Sequence, residues 1–370
     1  MKVINLGTDI KALDKNSSTY KRMISYGKMF DSFHVVILAS RKMLFNSDGI
    51  HFYGTGGVNK IFQMFRAFFL IKRIIKNQGR DGLVISAQDP FELSLVAALS
   101  GTPFQVQLHT DIGSLFWRKK IINKIRAAIA KFVFSRASGV RVVSEKIKAI
   151  LIRDYNVPAS KISVLPIRAD LSDVQFVRPK SFAEFHPAIV TVARFEKEKN
   201  VIASLKVLRE VIKRCPQAGL VLVGDGSLRG GLEKFVRRYN LSGNVVFAGK
   251  VPNARPFIKG ADIVLVLSYY EGYSLVLAEA AALGVPIVTT DVGIVGEILE
   301  PGKAVLTCSC DDIDCLASSI EKIVKDESLR NALVDNARAA ILKTVPDEKT
   351  YLDKYKDGLG YCLRSDSSIQ

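Results

Sequence analysis

The chain has 370 residues, of which 48% are hydrophobic and 24% are charged, a composition typical of globular proteins and too apolar for a disordered chain. This length predicts two domains, each large enough to bury its own core. The formal net charge is +17, and residues 1–180 carry 29 Lys and Arg against 12 Asp and Glu, whereas residues 181–370 carry 24 of each. A basic half beside a neutral half indicates that one domain meets an anionic surface or substrate.

The cellular compartment is suggested by hydrophobicity and by the cysteines. No apolar run approaches the roughly 18 residues of a membrane-spanning helix, and the chain begins with a strand-like segment without a secretion signal. We therefore expect a cytoplasmic protein, in which an odd count of 5 Cys is typical of reduced thiols. Cys308, Cys310 and Cys315 are close together, but without CxxC spacing or a nearby His they predict structural or incidental thiols rather than a metal site.

The N-terminal half alternates short apolar runs with helical stretches. Strands are predicted at residues 2–6, 33–39, 83–86, 104–108 and 140–144, and helices near 17–30, 58–77, 91–100 and 145–153. This alternation is typical of a parallel, doubly wound α/β sheet. Residues 54–57 are glycine-rich but do not form a GxGxxG motif, and we interpret them as a plain loop.

The strand at 104–108 is followed by two polar residues, His109 and Asp111. Ligands of doubly wound sheets bind at the carboxyl ends of strands. Both side chains are therefore candidates for substrate contact. The alternative is a loop histidine and a helix-capping aspartate.

Two N-terminal segments combine positive charge with apolar residues at helical spacing. Residues 116–141 contain Lys and Arg but no acid, and residues 61–80 are similar. Such a pattern predicts a basic amphipathic helix that lies on an anionic membrane. The alternative is a core helix with a solvated basic face. Nucleic-acid binding would also fit the charge, but the aromatic residues here fall at helical core spacing.

The C-terminal half repeats the alternation after a linker at 166–186. Strands are predicted at residues 188–193, 220–223, 244–249, 263–267 and 287–290, and helices at 228–239, 273–284, 311–343 and 348–362. The strand at 188–193 is followed by Arg194 and Lys199, two cations at the mouth of the sheet that suit phosphate; an ordinary charged turn is the alternative. Asp312 and Asp314 are interpreted as helix capping rather than a metal pair.

Two carboxylates frame the helix at 273–284. Glu271 and Glu279 lie eight residues apart, or roughly 12 Å along a helix, which suits two hydroxyl-rich groups on either side of a diphosphate. Unpaired amides at the helix N-terminus favour an anion between them. These amides belong to Gly272, Tyr273, Ser274 and Leu275. The alternative is a capping acid and an exposed helical glutamate.

The stretch EGYSLVLAEAAALGVPIV, with seven residues between Glu271 and Glu279, closely resembles the signature of the large retaining glycosyltransferase family of GT-B fold (family 4, group 1). The resemblance covers the C-terminal half and, more weakly, the N-terminal half. It implies an α/β protein with two Rossmann-like, doubly wound parallel-sheet domains that face each other across a cleft. Residues 1–180 would bind the acceptor, residues 181–347 the nucleotide sugar, and residues 348–370 would pack back onto the first domain.

The resemblance also implies roles for individual residues. Arg194 and Lys199 would hold the donor diphosphate, Glu271 would orient the sugar, and Glu279 would bind the ribose. The remaining positions are Gly224, Asp225 and Gly226 beside the nucleotide, Val251 beside the base, His109 at the sugar and Asp111 at the acceptor. Asn200 departs from the glycine usual in the family, and no role is assigned to Gly293 or Glu297.

The implied reaction is sugar transfer, with retention, from a UDP- or GDP-linked donor to an acceptor hydroxyl. No metal or other cofactor is expected, because cations and amides stabilise the leaving diphosphate. The expected partners are a glycan or lipid-linked acceptor and an anionic membrane surface, on the inner face of the plasma membrane, and no nucleic acid. The rival hypotheses are a nucleotide-sugar epimerase or hydrolase of the same fold, and a basic nucleic-acid-binding protein.

Overall fold

The computed structural model describes residues 1–169, 179 and 182–366. Contacts divide the chain into two units, one comprising Met1–Pro166 and the C-terminal segment from Asp347, the other Ile167–Pro346. The predicted domain boundary at 180/181 lies outside the described residues, as does most of the predicted linker.

The first unit is built on an eight-stranded sheet in the order β3-β4-β2-β1-β5-β6-β7-β8. Its strands are β1 (Lys2–Gly7), β2 (Ser32–Ile37), β3 (Lys42–Ser47), β4 (Ile50–Thr55), β5 (Leu83–Ala87), β6 (Phe104–Leu108), β7 (Gly139–Val142) and β8 (Ile162–Val164). Neighbouring strands pair in parallel except β3 and β4. The predicted α/β class with parallel, doubly wound sheets is confirmed.

The antiparallel β3–β4 hairpin at the edge of this sheet was not predicted. Asp48 and Gly49 connect its strands with φ angles of 52° and 77°, the combination required by a two-residue hairpin turn. Because β4 runs to Thr55, the interpretation of residues 54–57 as a plain loop is wrong for its first half.

Seven helices flank this sheet in the described residues. They are α1 (Ser18–Gly27), α2 (Lys60–Gln78), α3 (Glu92–Leu99), α4 (Leu115–Arg118), α5 (Ile121–Arg136), α6 (Glu145–Tyr155) and α13 (Glu348–Asp366). The single basic helix predicted over residues 116–141 is therefore wrong. Lys120, with extended backbone, separates α4 from α5, and Arg141 belongs to strand β7.

Arg141 is buried and ties the terminal helix to the first unit. Its guanidinium donates to Gln107 Oε1 at 3.0 Å, to the Leu165 carbonyl at 3.1 Å and to the Tyr351 hydroxyl at 2.8 Å. Tyr351 and Tyr355 of α13 are both buried. This cation therefore stabilises packing and is no part of the basic surface.

The second unit contains a six-stranded sheet in the order β11-β10-β9-β12-β13-β14, with all strand pairs parallel. Its strands are β9 (Ala188–Val192), β10 (Gly219–Val223), β11 (Val245–Gly249), β12 (Ile263–Val266), β13 (Ile287–Thr289) and β14 (Leu306–Thr307). Its helices are α7 (Val201–Val211), α8 (Arg229–Arg238), α9 (Arg255–Gly260), α10 (Leu275–Ala282), α11 (Ile313–Lys325) and α12 (Glu327–Thr344). Strands β9, β10 and β12 are almost wholly buried, as is typical of parallel sheets covered on both faces.

Two aspartates divide the late helical region, which the sequence predicted as one helix over 311–343. Asp312 accepts a hydrogen bond from Cys315 N at 2.9 Å and begins α11, which confirms its predicted capping role. Asp326 accepts from Leu329 N at 2.9 Å and begins α12.

Cys308 and Cys315 form a disulfide that joins the end of β14 to the first turn of α11. The expectation that these cysteines are reduced thiols is therefore wrong. Their separation of 7 residues is bridged because the chain turns back at the start of α11. Cys215, Cys310 and Cys362 are free thiols.

Candidate functional site

The predicted donor-site motifs of the second unit follow three adjacent strands. Arg194 comes after β9, Gly224 directly follows β10, and Glu271 lies in the turn after β12, and β9 pairs with both β10 and β12. Because these strands are parallel, their carboxyl ends meet at one edge of the sheet, where doubly wound folds bind ligands. The fold therefore brings the motifs to one place.

Lys199 and Glu271 form a direct ion pair. Lys199 Nζ lies 2.6 Å from Glu271 Oε1, and the two side chains are only 19% and 15% exposed. The two turns are also joined through their backbones, since Tyr269 N donates to the Glu198 carbonyl at 2.9 Å. The cation and the carboxylate assigned to diphosphate and sugar thus lie in contact, 72 residues apart in sequence.

Arg194, unlike Lys199, lies on the surface. Its side chain is 71% exposed and pairs with Glu198 at 3.3 Å. A surface ion pair of this kind contributes roughly 0–1 kcal/mol, so little free energy opposes movement of the guanidinium towards an incoming anion. Its phosphate-binding role stays a prediction.

The two glycines of the Gly224-Asp225-Gly226 turn are explained by close packing. A Cβ at Gly224 would lie 1.9 Å from the Ala193 carbonyl oxygen, and one at Gly226 would lie 2.6 Å from that of Phe195. Asp225 Oδ1 accepts from Gly226 N at 2.8 Å. This geometry gives the turn a structural reason, and its contact with a nucleotide stays a prediction. Val251, predicted beside the base, follows β11 and is half-buried.

Asn200, the departure from the family pattern, has a backbone explanation. Its φ angle is 47°, in the left-handed region that glycine adopts most easily and asparagine more readily than most other residues. It is buried at the start of α7, where Ala203 N donates to its carbonyl at 2.9 Å. The substitution therefore preserves the turn that follows Lys199.

The loop before α10 contains buried polar groups without partners. The helix begins at Leu275 rather than at the predicted residue 273 because Ser274 adopts a φ angle of 68°. The Tyr273 hydroxyl and Ser274 Oγ are buried and neither donate nor accept a hydrogen bond within the described part of the chain. Buried polar groups are rarely left unpaired, so these atoms indicate that water or a ligand completes this turn. Gly272 is buried beside them.

Gly293 and Glu297, for which sequence reasoning found no role, lie beside this loop. A Cβ at Gly293 would lie 2.4 Å from the Tyr273 carbonyl oxygen, and Ile294 N donates to that same oxygen at 3.1 Å. Burial, with a smaller contribution from Glu297, raises the pKa of Tyr273 to about 12. The sequence alone did not show that Gly293 packs against the turn at Tyr273. Glu279 lies half-buried on α10, and its ribose contact stays a prediction.

His109 and Asp111 lie after β6 in the first unit. Burial, and less strongly Arg141 and Arg22, lowers the pKa of His109 to about 3, so its imidazole is neutral at pH 7. Its Nδ1 is buried and makes no hydrogen bond to the described residues. Asp111 Oδ1 accepts from Gly113 N at 2.8 Å and Ser114 N at 3.1 Å. These bonds close the turn that precedes α4. The N-cap of α4 is Ser114, so Asp111 does not cap this helix as the alternative predicted.

No metal centre is formed by the described residues, since none of their His, Cys, Asp and Glu side chains gather in a group of three or more that could hold an ion. Asp312 is occupied with helix capping.

Comparison with known families identifies the family and the fold. Residues 175–340 match the family model described as glycosyl transferases group 1, and residues 32–172 match that of glycosyltransferase family 4. The chain belongs to this glycosyltransferase family of GT-B fold. The resemblance stated from the sequence is thereby confirmed.

The relatives of this chain include proteins named for different substrates. N-acetyl-alpha-D-glucosaminyl L-malate synthase of Bacillus anthracis is 28% identical over 175 residues, covering 47% of this chain and 46% of that protein. The Campylobacter jejuni enzyme GalNAc-alpha-(1->4)-GalNAc-alpha-(1->3)-diNAcBac-PP-undecaprenol alpha-1,4-N-acetyl-D-galactosaminyltransferase is 26% identical over 284 residues, covering 76% of this chain and 75% of that protein. This chain thus spans about half the length of the Bacillus anthracis relative.

A solved structure shows the same fold. HepE of Anabaena, solved in complex with UDP and glucose, has a TM-score of 0.76 at 18% identity, with coverage of 97% of this chain and 99% of that one. At this identity the likeness shows the fold alone.

The first unit exposes apolar residues on its basic helices. On α2 these are Ile61, Phe62, Phe65 and Phe69, and on α5 they are Ile121, Ile122 and Ile125. The opposite face of α2 is buried, so the helix packs on one side and exposes apolar residues on the other. Both helices meet α3, where Glu92 pairs with Lys60 at 3.1 Å and with Arg126 at 2.8 Å. Among the described residues, no helix combines the length and the hydrophobicity needed to cross a bilayer.

Proposed function

We propose that the protein is a retaining glycosyltransferase that moves a sugar from a nucleotide-diphosphate sugar to an acceptor hydroxyl in cell-surface glycan or glycolipid assembly. The observation that carries the proposal is the Lys199–Glu271 pair at the carboxyl edge of the second sheet. It lies beside a turn whose buried hydroxyls, on Tyr273 and Ser274, make no bond to the described residues. A polar ligand with both negative charge and hydroxyl groups suits this combination.

The charge distribution explains how the leaving group would be stabilised. Arg194 and Lys199 supply positive charge, and the amides before α10 supply donors at a helix N-terminus. Preorganised donors of this kind stabilise negative charge that develops in a transition state. Glu271 would orient the sugar and Glu279 would bind the ribose, so the site would work without a metal or another cofactor.

A thermal-shift panel with UDP, GDP, ADP and their sugars tests the donor site. A ligand present at about a hundred times its dissociation constant adds about 2.7 kcal/mol of stability. We expect one nucleotide class to raise the melting temperature of the wild type, and Glu279→Ala to abolish that shift. Glu300→Ala, at an exposed glutamate paired with Lys303, is the matched control and should respond as the wild type does. Absence of a shift with every nucleotide would refute the donor site.

The names of the relatives suggest which substrates to try first. HepE was solved with UDP and glucose, and the Campylobacter jejuni enzyme is named for an undecaprenol-linked saccharide. We therefore propose a UDP- or GDP-linked donor and a polyprenyl-diphosphate-linked saccharide as acceptor. Product analysis by mass spectrometry and NMR would show a new α- or β-linkage and its stereochemistry. Free sugar or an epimer formed without acceptor would instead indicate a hydrolase or epimerase.

We also propose that the first unit binds the cytoplasmic surface of an anionic membrane through α2 and α5. Apolar side chains that insert between headgroups, with cations beside them, are the features of interfacial helices. Ile122 is 52% exposed, and Ile122→Asp should weaken sedimentation with vesicles containing phosphatidylglycerol. Leu342→Asp, at a residue of the second unit that is 51% exposed, is the matched control. If both variants and the wild type sediment equally with these vesicles, and salt does not change the sedimented fraction, the proposal is refuted.

A further inference from the structure

Glu271 is held through one of its two carboxylate oxygens. Oε1 accepts from Lys199 Nζ at 2.6 Å and from Ser268 Oγ at 2.9 Å. All hydrogen bonds that the described residues make to this carboxylate end on Oε1. The side chain is 15% exposed, so Oε2 has its acceptor capacity left for a group that arrives from outside the protein.

The backbone of Ser268 is held by hydrogen bonds from two segments, one that follows β13 and one that follows β14. Ser268 is 3% exposed, and its carbonyl accepts from Thr290 Oγ1 at 2.7 Å and from Cys310 Sγ at 3.6 Å. Thr290 follows β13, and Cys310 lies in the loop after β14. The backbone that carries the Ser268 hydroxyl is therefore anchored while its side chain reaches the carboxylate.

The two donors on Oε1 differ in what they can contribute. The Lys199 ammonium is a point charge on a flexible four-carbon stem with three rotatable donors, so it attracts the carboxylate without setting its plane. The Ser268 hydroxyl sits on a short side chain three residues from Glu271 in an anchored turn. Its bond restricts the rotation of the carboxylate and so sets the direction in which Oε2 points.

We infer that Ser268 is a positioning residue that orients Glu271 towards a hydroxyl group of the donor sugar. The inference rests on the proposed function, in which Glu271 contacts that sugar. Ser268 touches neither sugar nor nucleotide in this role. Its removal should therefore weaken the recognition of the sugar and leave the binding of the nucleotide intact.

Calorimetry on matched ligand pairs separates these effects without knowledge of the acceptor. The probes are UDP with UDP-glucose and GDP with GDP-mannose, and the measured quantity is the ratio of the two dissociation constants within a pair. Hydrogen bonds to charged groups contribute enough that Ser268→Ala should reduce the sugar's contribution to affinity by about tenfold. The affinity for the free nucleotide should stay unchanged. Ser268→Thr keeps the hydroxyl and should restore most of the loss.

Two further variants distinguish positioning from a general packing role. Thr290→Val removes the bond to the Ser268 carbonyl with little change in volume and should give a smaller loss of the same kind. Ser309→Ala, at an exposed serine in the loop after β14, is the matched control and should behave as the wild type. A packing defect would lower the affinity for nucleotide and nucleotide sugar alike, which would overturn the inference.

A double-mutant cycle with Glu271→Gln completes the test. If Ser268 acts through Glu271, adding Ser268→Ala to Glu271→Gln causes no further loss of the sugar's contribution. Additive losses would show that Ser268 acts independently and would overturn the inference. If Glu271→Gln itself leaves the sugar's contribution unchanged, the proposed role of Glu271 fails. If Glu271→Gln abolishes it while Ser268→Ala does not reduce it, only the positioning role of Ser268 fails.

Discussion

Reduction of the Cys308–Cys315 disulfide should destabilise the second unit by an amount that follows from its loop length. The bond closes a loop with a sequence separation of 7. The chain-entropy relation for such a loop gives about 2.5 kcal/mol at 25 °C. For a unit of this size, a change of 1 kcal/mol moves the melting temperature by about 2–4 °C, so reduction should lower it by about 5–10 °C.

The assay is differential scanning calorimetry of the protein with and without a phosphine reductant, with mass spectrometry to confirm the state of the bond. Cys308→Ser combined with Cys315→Ser should reproduce the reduced protein and should no longer respond to reductant. Cys215→Ser is the control, because Cys215 is a free thiol of the same unit. The reasoning is refuted if the oxidised and reduced proteins unfold at the same temperature.

Three further predictions concern buried or strained positions. Burial lowers the pKa of His34 to about 4 and that of His109 to about 3, whereas both are protonated below about pH 6.5 once unfolded. Their contribution to stability should therefore be complete well above pH 6.5 and should fall by about 2 kcal/mol for each histidine, or about 4 kcal/mol together, at pH 5. Urea unfolding at pH 8 and at pH 5 would show this loss. At Gly224 a new Cβ would meet the Ala193 carbonyl, whereas at Gly249, with a φ angle of 71°, it would have no atom within 4 Å. Gly224→Ala should therefore lower the free energy of unfolding several-fold more than Gly249→Ala. Equal losses in urea unfolding would contradict the packing argument. Asn200→Gly should change the unfolding free energy by less than about 1 kcal/mol, whereas Asn200→Val should cost about 1–3 kcal/mol because a β-branched residue resists the left-handed conformation.

The sequence predicted the parts of the fold that local patterns determine. The run at residues 104–108 is buried along its whole length, and β6 has the predicted bounds. The β3–β4 hairpin also had a local signal, the Asp48-Gly49 pair between two segments of alternating residues. The sequence analysis overlooked this pair and interpreted residues 54–57 as a loop. The break between α4 and α5 had none, because Ile121 continues the helical spacing of the residues before it.

The candidate site was predictable in its residues and not in its contacts. The spacing of Glu271 and Glu279, and the cations after β9, identified the edge of the sheet. The Lys199–Glu271 bond joins positions 72 residues apart, and the Ser268 hydroxyl looked like part of an ordinary turn. The disulfide was missed for a related reason, since pairing depends on how a turn brings two side chains together.

The basic segment at 116–141 shows why a count of charges overstates a basic surface. Arg141 is buried against Gln107, and Arg118 and Arg126 pair with Asp154 and Glu92 at 2.6 Å and 2.8 Å. The exposed remainder consists of Lys119, Lys120, Lys124, Lys131 and Arg136. Each cation near an anionic membrane contributes about 1 kcal/mol, so the electrostatic part of binding depends on these exposed cations together with those of α2. The exposed apolar residues of α2 and α5 must supply the rest. Binding to anionic vesicles should accordingly weaken with salt yet retain a salt-resistant component that Ile122→Asp reduces.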